Sequence, residues 1–106
     1  MKRTSPAGVN RKLRRYQEIL RKELPQLKAR FHIQSLGIFG SYVQGTAGRQ
    51  SDLDVLVEFA REPGLFEFID CEDYLSARLG VKVDLVMKET LKPRIGRCIL
   101  REVIGL

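Results

Sequence analysis

The sequence predicts a small α/β domain with a short mixed sheet packed with helices. Two observations carry that expectation. Apolar runs of strand length recur at Ile33–Phe39, Leu53–Phe59 and Val81–Met87, separated by segments whose apolar residues repeat every three or four positions. Glycine and proline punctuate the boundaries between them, at Gly40, Gly45, Pro63-Gly64, Gly80 and Pro93. With 106 residues the chain is long enough for one core and short for two. Residues 1–9 read as a loose tail and 10–106 as one domain.

In order, the first helix begins near Asn10 as N-cap. Leu13, Tyr16, Leu20, Leu24, Leu27 and Phe31 form its apolar stripe, so Tyr16 and Phe31 are expected in the core. Pro25 lacks the amide that would bond to Arg21, which predicts a break near Leu24. His32, the single histidine, falls at the helix end with no ligand-spaced partners. Ile33–Phe39 is the first strand, and Tyr42–Gln44 a single helical turn ending at Gly45. Residues 46–51 form a loop, and Leu53–Phe59 the second strand.

Leu65, Phe68, Cys71, Leu75 and Leu79 then make a helical stripe that Gly80 stops. Asp70, Glu72 and Asp73 are assigned to its solvent face. Val81–Met87 is the third strand. It carries Asp84 between Val83 and Leu85, a poor place for a carboxylate unless it faces a cleft or finds donors. Pro93 opens a last helix expected to run to Gly105.

Composition narrows the setting. No apolar run approaches the roughly 18 residues of a membrane span. Met1-Lys-Arg-Thr4 is not followed by the apolar stretch of a secretory signal. A cytoplasmic protein is expected, with Cys71 and Cys98 as reduced, buried thiols. The net charge is +6, and ten basic residues precede Phe31 (Lys2, Arg3, Arg11, Lys12, Arg14, Arg15, Arg21, Lys22, Lys28 and Arg30), opposed only by Glu18 and Glu23. That face suits RNA or an acidic partner, but is equally a solvated helix face.

The chemistry concentrates between Gly40 and Asp54. Asp52 and Asp54 stand two apart on an extended segment, so both project from one face, with α-carbons roughly 6.5 Å apart. At about 6 Å and an effective dielectric near 20, two such charges repel by roughly 3 kcal/mol. A cation relieves that repulsion, and hard oxygen ligands select Mg²⁺ or Mn²⁺. At the other end, Gly40 lets the backbone turn and a ligand come close, and Ser41 offers a hydroxyl and amides to a phosphate. Together the two ends describe a nucleoside triphosphate site.

Gly40-Ser41, ten intervening residues, then Asp52-Leu-Asp54 resembles the signature of the minimal nucleotidyltransferases of the DNA polymerase β-like superfamily. The resemblance extends from about Leu13 to Ile104 and implies the small nucleotidyltransferase fold. It also implies that Asp84 is the third carboxylate. Asp52, Asp54 and Asp84 would be catalytic and hold two Mg²⁺ ions, with Mn²⁺ as the substitute, and Gly40 and Ser41 would bind the nucleotide. One position departs from the family's frequent Gly-Ser-x-Ala-Arg-Gly: Gln44 stands where Arg is usual. The exchange removes a fixed positive charge, worth roughly 1–3 kcal/mol of charge-assisted hydrogen bonding.

Stand-alone members of this kind are often antitoxins of all-helical HEPN toxins. The resemblance therefore implies transfer of AMP from ATP, or of another nucleotide from its triphosphate, to a hydroxyl of such a toxin. A non-catalytic antitoxin acting by contact, and nucleotidyl transfer to RNA through the basic first helix, are the alternatives. So short a chain suggests that a homo- or hetero-oligomer completes the acceptor site.

Overall fold

The computed structural model of the chain describes residues 7–106. Helix α1 (Ala7–Phe31) leads into strand β1 (Ile33–Phe39), the four-residue helix α2 (Ser41–Gln44) and strand β2 (Leu53–Phe59). Helix α3 (Leu65–Leu79), strand β3 (Val83–Met87), a 3₁₀ turn at Lys88–Thr90, helix α4 (Pro93–Glu102) and strand β4 (Ile104–Gly105) complete it. The strands form one sheet in the order β3-β2-β1-β4. Only β2 and β3 run parallel, joined through α3, while β1 is antiparallel to both β2 and β4. The sheet is therefore short and mixed, as the apolar runs predict.

Period-two alternation sorts the sheet into two faces. Leu36 and Ile38 of β1 pair with Val57 and Val55 of β2, which pair in turn with Met87 and Leu85 of β3. With Leu53, Phe59 and Val83 they form the core face, against Tyr16, Leu20, Leu27 and Phe31 of α1 and Cys71, Leu75 and Leu79 of α3. The opposite face carries Asp54 and Leu56 of β2 and Asp84 and Val86 of β3, paired residue for residue. Leu100 and Val103 of the C-terminal segment border a cleft of about 220 Å³ on this face with Gly37 and Leu56.

Several expectations are corrected, the third strand among them, which begins at Val83 and not at Val81. Helix α1 starts at Ala7, so residues 7–9 are helical, and the remainder of the expected tail, residues 1–6, lies outside the described residues. The same helix runs unbroken through Pro25. Leu20 on one side of the proline and Leu27 and Phe31 on the other are all buried, so tertiary packing holds both halves on the core despite the lost hydrogen bond. The last helix stops at Glu102, and Ile104–Gly105 becomes an edge strand on Gly37 and Ile38. Gly37 has no side chain there, and a Cβ would press into Val103 and the Ile104 carbonyl. Finally, Cys98 is exposed; only Cys71 is buried, and both are free thiols.

Side chains of α3 also finish the outer edge of β3. The Leu85 amide donates to Glu72 Oε2 at 2.9 Å and the Val83 amide to Ser76 Oγ at 3.0 Å. Glu72 is thus not simply a solvent-face acid; it satisfies an edge strand that would otherwise present bare donors. Asp70 and Asp73 are exposed as expected. Between α1 and α3, Tyr74 donates to Glu23 at 2.7 Å, with the Arg30 and Arg78 guanidinium carbons 5.0 and 5.2 Å from its ring centroid. His32 takes a positive φ of 58° at the end of α1, where the chain turns into β1, and its carbonyl accepts from the Ala60 amide.

Candidate active site

The sheet register assembles the acidic residues. Asp54 is the parallel partner of Asp84 and the antiparallel partner of Phe39, the residue before Gly40. Adjacent strands lie about 4.8 Å apart, so residues thirty positions apart in sequence become immediate neighbours at one sheet end. Asp52 precedes β2 by one residue, and the Leu53 amide donates to the Lys82 carbonyl at 2.9 Å, which fixes this entrance to β2 against that of β3. Asp52 and Asp54 are half-buried and Asp84 is exposed.

The charges crowd. The Asp54 carboxyl is pushed up to about 6, first by burial and then by the carboxylates of Asp84 and Asp52. A hydrogen bond with Asp84 and the Glu102 carboxylate act in the same direction. Among the described residues no three ligating side chains close into a ready metal cage. The donor set nevertheless fits Mg²⁺ or Mn²⁺: hard carboxylate oxygens, mutually repelling, on an open edge where substrate oxygens and water can complete an octahedron.

Gly40 and Ser41 border this edge. Gly40 has φ 81° and ψ −152°, a combination open in practice only to glycine, and a Cβ there would collide with the Asp54 carboxylate. The glycine thus admits the aspartate beside the backbone. Its carbonyl accepts from the Val43 and Gln44 amides at 3.0 Å each, starting α2. Tyr42 anchors that short helix: it is buried and meets the Tyr16 ring edge-on, centroids 5.5 Å apart. Gly45, at φ 81°, ends it, and the Thr46 amide donates back to the Ser41 carbonyl at 2.9 Å. Ser41, next in sequence to the buried Tyr42, stays half-exposed beside the acidic residues.

The structure therefore brings Gly40, Ser41, Asp52, Asp54 and Asp84 to one end of the sheet. It adds Glu102, which the sequence reading did not single out. The last residue of α4, it accepts from the Gly40 amide through Oε1 and from the Gln44 side-chain amide through Oε2, each at 3.0 Å. One signal was available: a carboxylate at a helix C-terminus opposes the macrodipole. His32 and Cys98 take no part in these contacts, and the wall of the cleft between Lys88 and Leu100 includes none of the acidic residues.

Known proteins resemble this chain in sequence and in fold. The family model for the nucleotidyltransferase domain matches residues 14–105. The protein adenylyltransferase MntA of Thermococcus cleftensis is 47% identical over 92 residues, spanning 87% of this chain and 93% of its own. A solved structure of a proposed minimal nucleotidyltransferase superposes with a TM-score of 0.71 at 31% identity, covering 100% of both chains. A crystal structure of a toxin–antitoxin with AMP-PNP superposes with a TM-score of 0.62 at 26% identity, covering 83% of this chain and 66% of that one.

Proposed function

Since the chain belongs to the nucleotidyltransferase domain family, we propose that it transfers AMP from ATP to a hydroxyl on a partner protein. On this reading it is the antitoxin that silences an all-helical HEPN toxin. The observation that carries the reaction class is the in-register pair Asp54 and Asp84 beside a glycine that only glycine can replace. The MntA name of the Thermococcus cleftensis relative supports AMP and a protein acceptor, and the AMP-PNP-containing toxin–antitoxin supports the pairing.

In this mechanism Ser41 and the Gly40 backbone receive the β- and γ-phosphates. Asp52 and Asp54 face the triphosphate across the same edge. Asp84, the most exposed of the acids, meets the incoming hydroxyl and takes up its proton. The acceptor oxygen bonds to the α-phosphorus as the bond to the bridging oxygen breaks, and pyrophosphate leaves in line. Two Mg²⁺ or Mn²⁺ ions held by Asp52, Asp54 and Asp84 would supply neutralisation of the phosphate charge and acidify the acceptor. The half-buried setting of Asp54 strengthens each of these interactions relative to bulk water.

The test combines the protein with a HEPN toxin and ATP labelled at the α-phosphate. Labelling of the toxin is expected only with a divalent cation, and to fall more than about a hundredfold in Asp54→Asn. Toxin neutralised equally by wild type and Asp54→Asn, without label, refutes transfer and leaves a contact-only antitoxin. Label on RNA instead would identify a nucleic-acid acceptor.

A further inference from the structure

Glu102 occupies an electrostatically poor position. It closes α4, where the macrodipole disfavours negative charge. Both of its donors, the Gly40 amide and the Gln44 side chain, are neutral. None of the ion pairs among the described residues involves it. Gly40 follows Phe39, the strand partner of Asp54, so the carboxylate stands beside the acidic edge. An anion is thus held at the acidic edge by two donors of the loop that the proposed reaction assigns to phosphate.

The path of the chain explains how it arrives. Helix α4 begins beyond the far end of β3, returns past the open face of the sheet, and reaches Gly40 at its last residue. Immediately after Glu102, the pairing of Ile104 with Ile38 and Gly105 with Gly37 fixes the segment to β1. The carboxylate is therefore placed by backbone pairing, while its own two hydrogen bonds can exchange.

We propose that Glu102 is a built-in stand-in for phosphate. Its carboxylate holds the Gly40 and Gln44 donors in the nucleotide-free protein and yields them to the triphosphate. It thereby sets how tightly nucleotide binds. This inference rests on the nucleotidyltransferase reading for the location of the triphosphate, and concerns a residue outside the acidic triad. It also gives Gln44 a role: a neutral amide can pass between carboxylate and phosphate, whereas arginine would form a charge-assisted pair with Glu102 that is harder to open.

The experiment is titration calorimetry of wild type, Glu102→Gln and Glu102→Ala with ATP and with inorganic tripolyphosphate, each with Mg²⁺. Removing one negative charge from the immediate neighbourhood of a polyphosphate is expected to tighten binding of both ligands about tenfold. A residue that merely props the loop would instead weaken binding when removed, so unchanged or weaker binding in both variants overturns the proposal. Binding of neither ligand by any of the three proteins also overturns it. Tighter tripolyphosphate binding in the variants, without AMP transfer to any partner, upholds the stand-in and sinks only the transferase reading. AMP transfer by wild type without the gain in affinity does the reverse. Should neither variant fold, the wild-type Gly40 amide resonance decides: it must shift when tripolyphosphate displaces Glu102, and a fixed resonance refutes the displacement.

Discussion

Replacing Gly40 by alanine tests the site at its tightest point. Two costs are readable from the geometry. The backbone at φ 81° and ψ −152° lies where a residue with a Cβ is strained by about 1–3 kcal/mol. The new methyl also meets the Asp54 carboxylate, and driving that side chain off its rotamer adds about 0.5–1.5 kcal/mol. Together Gly40→Ala is expected to destabilise the fold by about 2–4 kcal/mol, lowering Tm by about 8–16 °C for a domain of this size. Urea and thermal unfolding followed by circular dichroism measure both. A double-mutant cycle separates the terms: in an Asp54→Ala background the clash with the carboxylate is gone and only the retained Cβ stays close, so Gly40→Ala should cost about 1 kcal/mol less there. A loss below about 1 kcal/mol in the wild-type background, or no coupling to Asp54, would refute the claim that this glycine exists to admit the aspartate.

Other perturbations have equally definite outcomes. The raised Asp54 carboxyl, at about 6 against an ordinary 3.8, means the folded protein holds its proton where the unfolded chain has released it. The stabilisation is complete below about pH 4 and is lost as pH rises through about 6, about 1–2 kcal/mol after allowance for solvent screening. Asp54→Asn should flatten that dependence, and Mg²⁺ should oppose it by favouring the ionised carboxylate; denaturation midpoints across pH measure both effects. Pro25→Ala restores the amide missing within α1 and is expected to stabilise by about 1–3 kcal/mol, seen as a rise in the urea midpoint. A thiol reagent should modify Cys98 at once at pH 8 and spare Cys71, whose thiol burial pushes up to about 12; modification of both at one rate would refute the assigned burial.

Much of this architecture was legible because its signals are local. The boundaries of β1 and β2 follow directly from their apolar runs, and Gly80 closes α3 in the left-handed conformation as its position suggested. Asp84 was conspicuous because a carboxylate between Val83 and Leu85 needs a reason, and its pairing with Asp54 provides one. What escaped is non-local. Strand β4 has two residues and no periodicity of its own; it exists because β1 offers an edge and Gly37 lets the chain approach. Pro25 is tolerated because of residues packed on both sides of it, which a helix-propensity rule does not weigh. Glu72 and Glu102 look like ordinary solvent-facing acids until the partners at Leu85 and Gly40 arrive from elsewhere in the chain.

The position of β4 also orders events in time. Pairing β1 with β2 closes a short loop, whereas pairing Ile104 with Ile38 spans most of the chain, and the entropy of closing a loop grows with its length. The sheet centre and the contact of Asp54 with Phe39 therefore form early, and the two-residue edge strand docks late and opens most readily. Glu102 travels with that strand. Amide hydrogen exchange should accordingly be slow at Leu56 and fast at Gly40, so the segment that finishes the fold is also the one whose fraying bares the loop.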